Sequence, residues 1–230
     1  ICHPSVVTLI DSHIGRHGEA WLVLELLQGQ PLSGVLSHLR GLGLGRSLRV
    51  AQAVAAALAE SHACGVIHRD VKPDNVFLHQ TATEQIVKLI DFGSAYVAPS
   101  QVGVGSSPQD VGGMSIQWGT PEYVAPECLT GHWVDGRCDV YSLAIVLFQM
   151  LTGSVPFPYL GGDVQGVIME QLHREPPRLA DLDIVVPPAL ECALRAALHK
   201  NPDHRPTAQA FASALNDIAR DLAARAPTAQ

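Results

Sequence analysis

Between Val140 and Leu151 the chain reads Val-Tyr-Ser-Leu-Ala-Ile-Val-Leu-Phe-Gln-Met-Leu, apolar on nearly every side of a helix. A helix with no solvent face has to be buried through a core. The segment contains polar residues and is too short to cross a bilayer. Amphipathic helices are available to cover it. Leu48, Ala51, Val54, Ala55 and Leu58 recur at helical spacing behind Ser47, a candidate cap, until Gly65 stops the pattern. Leu190, Leu194 and Leu198 mark a helix over Leu190–His199, which ends before Pro202. Phe211, Leu215, Ile218 and Leu222 line one face of a last helix opening near Pro206 and Thr207. A further helix is expected over Gly162–His173, ended by Pro176 and Pro177.

Strand signals are confined to the first part of the chain. Val6–Ile10 and Trp21–Leu27 suit two strands with His13–Glu19 as the hairpin between them. After Pro31 the pattern turns helical until Gly41, Gly43 and Gly45 break it; this glycine run reads as a turn between two helices. Val76–His79 and Ile86–Ile90 are β-prone pieces separated by polar residues. Residues 94–118 are rich in Gly, Ser and Gln without periodicity, and a loop of that length is usually functional.

At 230 residues, 47% of them hydrophobic and 16% charged, the chain is sized for one folded domain. A formal charge of −7 with no basic stripe excludes a general nucleic-acid binder. The five cysteines are scattered, which points to reduced, buried thiols of a cytoplasmic protein. The eleven histidines form no H-E-x-x-H pair, so no zinc site is expected. The chain opens Ile-Cys-His-Pro in the middle of structured sequence, which suggests a fragment.

Two segments carry chemistry: His68-Arg-Asp-Val-Lys-Pro-Asp-Asn75 and Asp91-Phe-Gly93. Phosphoryl transfer asks a protein for positioning and charge neutralisation rather than covalent chemistry. Asp70 can face an incoming hydroxyl, and Lys72 can turn its ammonium to the transferring phosphate. Asn75 and Asp91 offer the oxygen donors that a hard cation such as Mg²⁺ prefers. Together these segments resemble the catalytic and metal-binding loops of the protein kinase family. Gly119-Thr-Pro-Glu-Tyr-Val-Ala-Pro-Glu127 resembles the same family's substrate-docking segment, and Asn201-Pro-Asp-His-Arg-Pro206 supplies an arginine in the expected place.

The resemblance covers the chain almost end to end and implies an α+β, protein-kinase-like fold. It would consist mainly of the α-helical C-terminal lobe, with the last two strands of the N-terminal lobe. Residues 1–28 would be the remnant of that lobe with the hinge, 29–223 the C-terminal lobe, and 224–230 a tail or linker. It also implies a Ser/Thr protein kinase of bacterial type that uses ATP with Mg²⁺, Mn²⁺ being an alternative. Asp70 would be the base, with Lys72, Asn75 and Thr120 completing the catalytic set. Thr120 would hydrogen-bond near Asp70 and Lys72. Asn75 and Asp91 would hold the metal. Leu24 would be the gatekeeper, Glu25 to Leu27 the hinge, Phe77 would lie under the adenine and Ile90 behind it.

Glu127 would pair with Arg205, and Asp139 would accept backbone hydrogen bonds from the catalytic loop. Arg69 would await a phosphate on Ser115, or on Ser106 or Ser107. The partners implied are proteins with Ser/Thr acceptors, with self-association for autophosphorylation open to the chain. The family's Gly-rich loop and its strand lysine do not precede Ile1, so the chain alone is expected to be a weak kinase and prone to aggregate. Two other readings compete: a non-catalytic, pseudokinase-type binding module, and a small-molecule kinase. Asp70, Asn75 and Asp91 argue against the first, and the docking segment against the second.

Overall fold

The computed structural model describes residues 1–17, 19–97, 120–131, 134–159, 161 and 163–225. Its centre is the apolar helix, here Arg137–Thr152, in which every residue from Cys138 to Phe148 is buried. In chain order the elements are β1 (Leu9–Ile14), β2 (Ala20–Leu24), β3 (Gly29–Pro31), α1 (Leu32–Leu36), α2 (Leu44–Ala63), β4 (Val66–Ile67), β5 (Val76–Gln80), β6 (Gln85–Leu89) and β7 (Tyr96–Val97). They continue with α3 (Pro126–Thr130), α4 (Arg137–Thr152), α5 (Val164–His173), α6 (Pro188–Ala197) and α7 (Ala208–Arg225).

Helix α4 is covered by α2, α6 and α7, and α2 and α7 pack along each other. Their apolar stripes meet as the spacing predicts: Val54, Leu58, Leu190, Leu194, Phe211 and Leu215 are all buried. Among the described residues no helix is long and apolar enough to cross a membrane.

Among the described residues the strands form three small antiparallel sheets, β1-β2, β3-β5-β6 and β4-β7. The first strand starts later than expected. Val6 instead bridges in parallel to Leu89, through Val7 N donating to Leu89 O (3.0 Å) and Leu89 N donating to Ser5 O (2.8 Å). This buries Val6 and leaves Leu9–Ile14 to pair with Ala20–Leu24. Both strands of the β1-β2 pair are exposed along their whole length. The short pair β4-β7 had no counterpart in the sequence pattern.

Three local expectations are corrected. Ser47 does not cap α2: the helix starts at Leu44 with Gly43 at its N-cap, and the buried Ser47 hydroxyl donates to Gly43 O at 2.9 Å. A serine one turn inside a helix satisfies its hydroxyl on the preceding turn, so a serine ahead of an apolar run does not by itself fix a boundary. Helix α7 runs on to Arg225, into the expected tail. Of the free cysteines, only Cys138 is fully buried; Cys2, Cys64 and Cys192 are exposed.

The glycine run does form a turn. Gly41 has φ +100°, and a Cβ there would come within 3.1 Å of the carbonyls of Met150 and Leu151, so the turn sits close against the end of α4. Leu42 N donates to Met150 O at 2.7 Å. The run therefore packs against protein backbone.

Candidate active site

The loop after β4 is built on one buried carboxylate. Asp139, in the first turn of α4, has no solvent exposure. Its Oδ2 accepts from the His68 amide at 2.8 Å and its Oδ1 from the Arg69 amide at 2.7 Å. His62 on α2 places Nε2 2.8 Å from the same Oδ2. The pair of amides allows Arg69 to sit at φ +65°, a left-handed conformation unfavourable for a side chain this bulky. His68 turns inward, its Nε2 3.0 Å from Ile90 O, and its ring meets Phe92 edge-on at 4.7 Å. The catalytic loop is thereby fastened to the segment that carries Asp91.

Asp70, Lys72 and Asn75 come together as expected. The Lys72 ammonium lies 2.9 and 2.7 Å from the two Asp70 carboxylate oxygens. Asn75 Nδ2 donates to Asp70 O (2.8 Å) and Oδ2 (2.9 Å). With its amide nitrogen engaged twice, Asn75 keeps its carbonyl oxygen for another partner. Ile90 N donates to Asn75 O at 2.9 Å, which ties the loop to the stretch ahead of Asp91. Asp91 is exposed, at φ +62°, with Oδ1 accepting from Gly93 N at 3.1 Å. A Cβ on Gly93 would approach that oxygen to 2.9 Å, so glycine keeps the carboxylate clear.

Thr120 departs from expectation. It precedes the turn Pro121–Tyr123, and no hydrogen bond joins it to Asp70 or Lys72 among the described residues. The Asp70 carboxylate is instead closed by Lys72 and Asn75. Gly119, Ser106, Ser107 and Ser115 lie outside the described residues. Arg69 carries its guanidinium 5.9 Å from the centre of the Tyr96 ring.

The expected adenine-binding residues are spread over three elements. Leu24 ends β2 and is 44% exposed; Leu27 is half-buried just beyond it. Phe77 lies on β5 opposite Pro31 and Lys88, and Ile90 follows β6; both are half-buried. A residue pair that the sequence reading missed joins this region. Lys88 is buried and donates to Glu25 Oε1 at 2.6 Å, and the same oxygen accepts from Thr8 N at 2.7 Å. Burial pushes the Glu25 carboxyl up, but Lys88 and the Thr8 amide outweigh it and hold the group below its ordinary value. A lysine between the apolar residues Ile86, Val87 and Leu89 of β6 was the available signal.

The docking segment is held from below. Arg205 Nη1 and Nη2 donate to the two Glu127 oxygens at 2.7 and 2.8 Å, both side chains being almost fully buried. The remaining guanidinium donors reach His199 O (2.6 Å), Lys200 O (2.9 Å) and Arg137 O (3.2 Å), so the pair is fully hydrogen-bonded. Further along, Ser142 Oγ donates to Tyr123 O at 2.7 Å, and Tyr123 Oη donates to Gln149 Oε1 at 2.7 Å. Desolvation raises the Tyr123 hydroxyl pKa, so it stays a donor.

The family model for the protein kinase domain matches residues 1–215. The chain belongs to that family. It is 34% identical to the serine/threonine-protein kinase pkn3 of Myxococcus xanthus over 95% of the chain. It is 37% identical to Pkn1 of the same organism over 94%, and 36% identical to PkaA of Streptomyces coelicolor over its full length. The kinase domain chain spans 40%, 30% and 40% of the length of these relatives.

The ion pair under the docking segment and the lysine beside it each make a testable outcome. Glu127→Ala or Arg205→Ala strands a buried charge and should cost about 3–5 kcal/mol in urea unfolding; unchanged melting would rule out the pair as a structural anchor. The second concerns Lys200, whose ammonium lies 4.4 Å from the Phe157 ring centre and 5.6 Å from that of Tyr141. Burial lowers its pKa to about 8 from 10.5, with Arg205 adding to the depression and Glu175 and Glu170 opposing it. The folded value lies below the unfolded one, so burying the charge costs stability below pH 8. That cost is relieved as pH rises from about 8 towards 10.5. The melting temperature of wild type relative to Lys200→Met should therefore rise between pH 7 and pH 9.5, whereas a constant difference would contradict the assignment.

Proposed function

We propose that this chain is the catalytic lobe of a protein kinase that transfers the γ-phosphate of ATP to Ser or Thr hydroxyls of proteins. The observation that carries the reading is the cluster of Asp70, Lys72 and Asn75 on a loop whose amides are held by the buried Asp139. Preorganised groups of this kind act where charge develops in the transition state and need no rearrangement there. Lys72 and the Gly-Thr-Pro-Glu-Tyr segment favour Ser/Thr over Tyr acceptors, as do the names of the relatives.

The substrate hydroxyl approaches along Thr120–Glu127. Asp70 orients it and takes its proton as the oxygen bonds to the γ-phosphorus and the bond to ADP breaks. Lys72 shifts from Asp70 toward the transferring phosphoryl and offsets its charge. The Asn75 carbonyl oxygen and the exposed Asp91 carboxylate fit a hard divalent cation, Mg²⁺ or Mn²⁺. Such a cation neutralises charge on the phosphate oxygens when bound. Adenine lies against Leu24, Leu27, Phe77 and Ile90, with main-chain groups of Glu25 to Leu27 as its hydrogen-bond partners. Phosphorylation of Ser115, or of Ser106 or Ser107, would present an anion to Arg69. The domain works on the cytoplasmic side, and copies can phosphorylate one another.

The test is transfer of radiolabelled phosphate from MgATP to a generic protein substrate by the complete protein that carries this chain. Transfer onto Ser and Thr should fall at least 10²-fold in Asp70→Asn and in Asp91→Ala, with melting unchanged. A folded wild-type protein that transfers nothing would favour the binding-module reading.

A further inference from the structure

Below the docking segment lies a second line of polar groups, which meets the Glu127–Arg205 pair where Lys200 O accepts from Arg205 Nη2 at 2.9 Å. Lys200 Nζ donates to Tyr141 Oη at 3.1 Å and to Gln171 O at 2.7 Å. Tyr141 Oη donates to Gln171 Oε1 at 2.5 Å. Gln171 Nε2 donates to Glu122 O at 2.5 Å and to Pro121 O at 3.4 Å. Tyr141 and Gln171 have no solvent exposure. These five hydrogen bonds connect the α6–α7 connection, α4, α5 and the docking segment.

The direction of this line is set by donor chemistry. A protonated lysine only donates, so Tyr141 Oη must accept from it and turn its own hydrogen elsewhere. That hydrogen goes to Gln171, which fixes the amide with Oε1 toward Tyr141. The amide nitrogen then has only one way to face, toward the carbonyls of Pro121 and Glu122. A reversed amide would set oxygen against two carbonyl oxygens and leave buried groups unsatisfied. The two carbonyls belong to the turn whose next residue, Tyr123, is itself held by Ser142 and Gln149.

We infer that Lys200, Tyr141 and Gln171 are positioning residues for protein-substrate docking, a directional relay that sets the height and orientation of Pro121–Tyr123. This rests on the reading of that turn as the substrate-docking segment. None of the three touches the reacting atoms. Their effect falls on substrate affinity rather than on the chemical step, because the Asp70 cluster hangs from Asp139 by separate bonds.

The test uses Tyr141→Phe and Gln171→Leu in the complete protein. Phenylalanine removes only the hydroxyl and keeps a ring beside Arg205, whose guanidinium lies 4.7 Å from the Tyr141 ring centre. Both variants should raise KM for a peptide substrate about 5–10-fold, the loss expected for one or two hydrogen bonds, with KM for ATP and kcat unchanged. Amide hydrogen exchange should quicken at Tyr123 and Val124, whose N–H groups bond Thr120 O (3.2 Å) and Pro121 O (3.3 Å), while α4 stays protected. A lower melting temperature with unchanged peptide KM and unchanged exchange at Tyr123 and Val124 would overturn the proposal and leave a purely structural role. If the wild-type protein transfers no phosphate, the kinase reading fails by itself. The exchange arm still decides whether the relay holds the turn.

Discussion

One carboxylate organises the active-site loop. Asp139, itself without solvent exposure, accepts two backbone amides and lies against His62. A lone buried charge is unfavourable, and three directed partners make this one tolerable. The energetic demand works in both directions: the loop needs an acceptor for amides exposed by the left-handed turn at Arg69, and the carboxylate needs donors. Because α4 is buried through the core, its first turn is a rigid place from which to hang a loop. Asp70, Lys72 and Asn75 inherit that rigidity.

A second buried charge pair does the corresponding work for the docking segment. Glu127 and Arg205 are far apart in sequence but meet in a bidentate geometry, with backbone carbonyls taking up the other guanidinium donors. Such a pair adds little net stability compared with apolar packing, and its value lies in fixing one arrangement. The two anchors flank α4, Asp139 in its first turn and Arg205 also bonding the carbonyl of Arg137 at its start. Catalytic loop and docking segment are thus referred to the same helix end.

Much of this was legible in the sequence because it depends on local pattern. The apolar run at Val140–Leu151 announced a buried helix, and the period of Leu48 to Leu58 announced one that covers it. The octet ending at Asn75, with Asp91-Phe-Gly93 after it, identified the chemistry and the family. Other features were invisible because they arise only when distant elements meet. Gln171 and Lys200 are ordinary polar residues in their own segments, and nothing local marks them as partners of Tyr141. Val6 carries a strand signal in the sequence, whereas its bridge to Leu89 decides its place. Ser47 carried a cap signal that its position one turn into α2 overrode. The resemblance implies a hydrogen bond from Thr120 near Asp70, but the Asp70 carboxylate is occupied by Lys72 and Asn75.

The dependence of the catalytic loop on Asp139 is most directly tested by Asp139→Asn in the complete protein. Asparagine keeps the shape and one acceptor but turns an amide nitrogen toward a backbone N–H, of His68 or of Arg69, that can only donate. Hydrogen exchange at the His68 and Arg69 amides should accelerate while the amides of α4 remain protected, and phosphate transfer from MgATP should drop at least 10²-fold. Wild-type exchange and wild-type transfer in a folded Asp139→Asn protein would contradict the account.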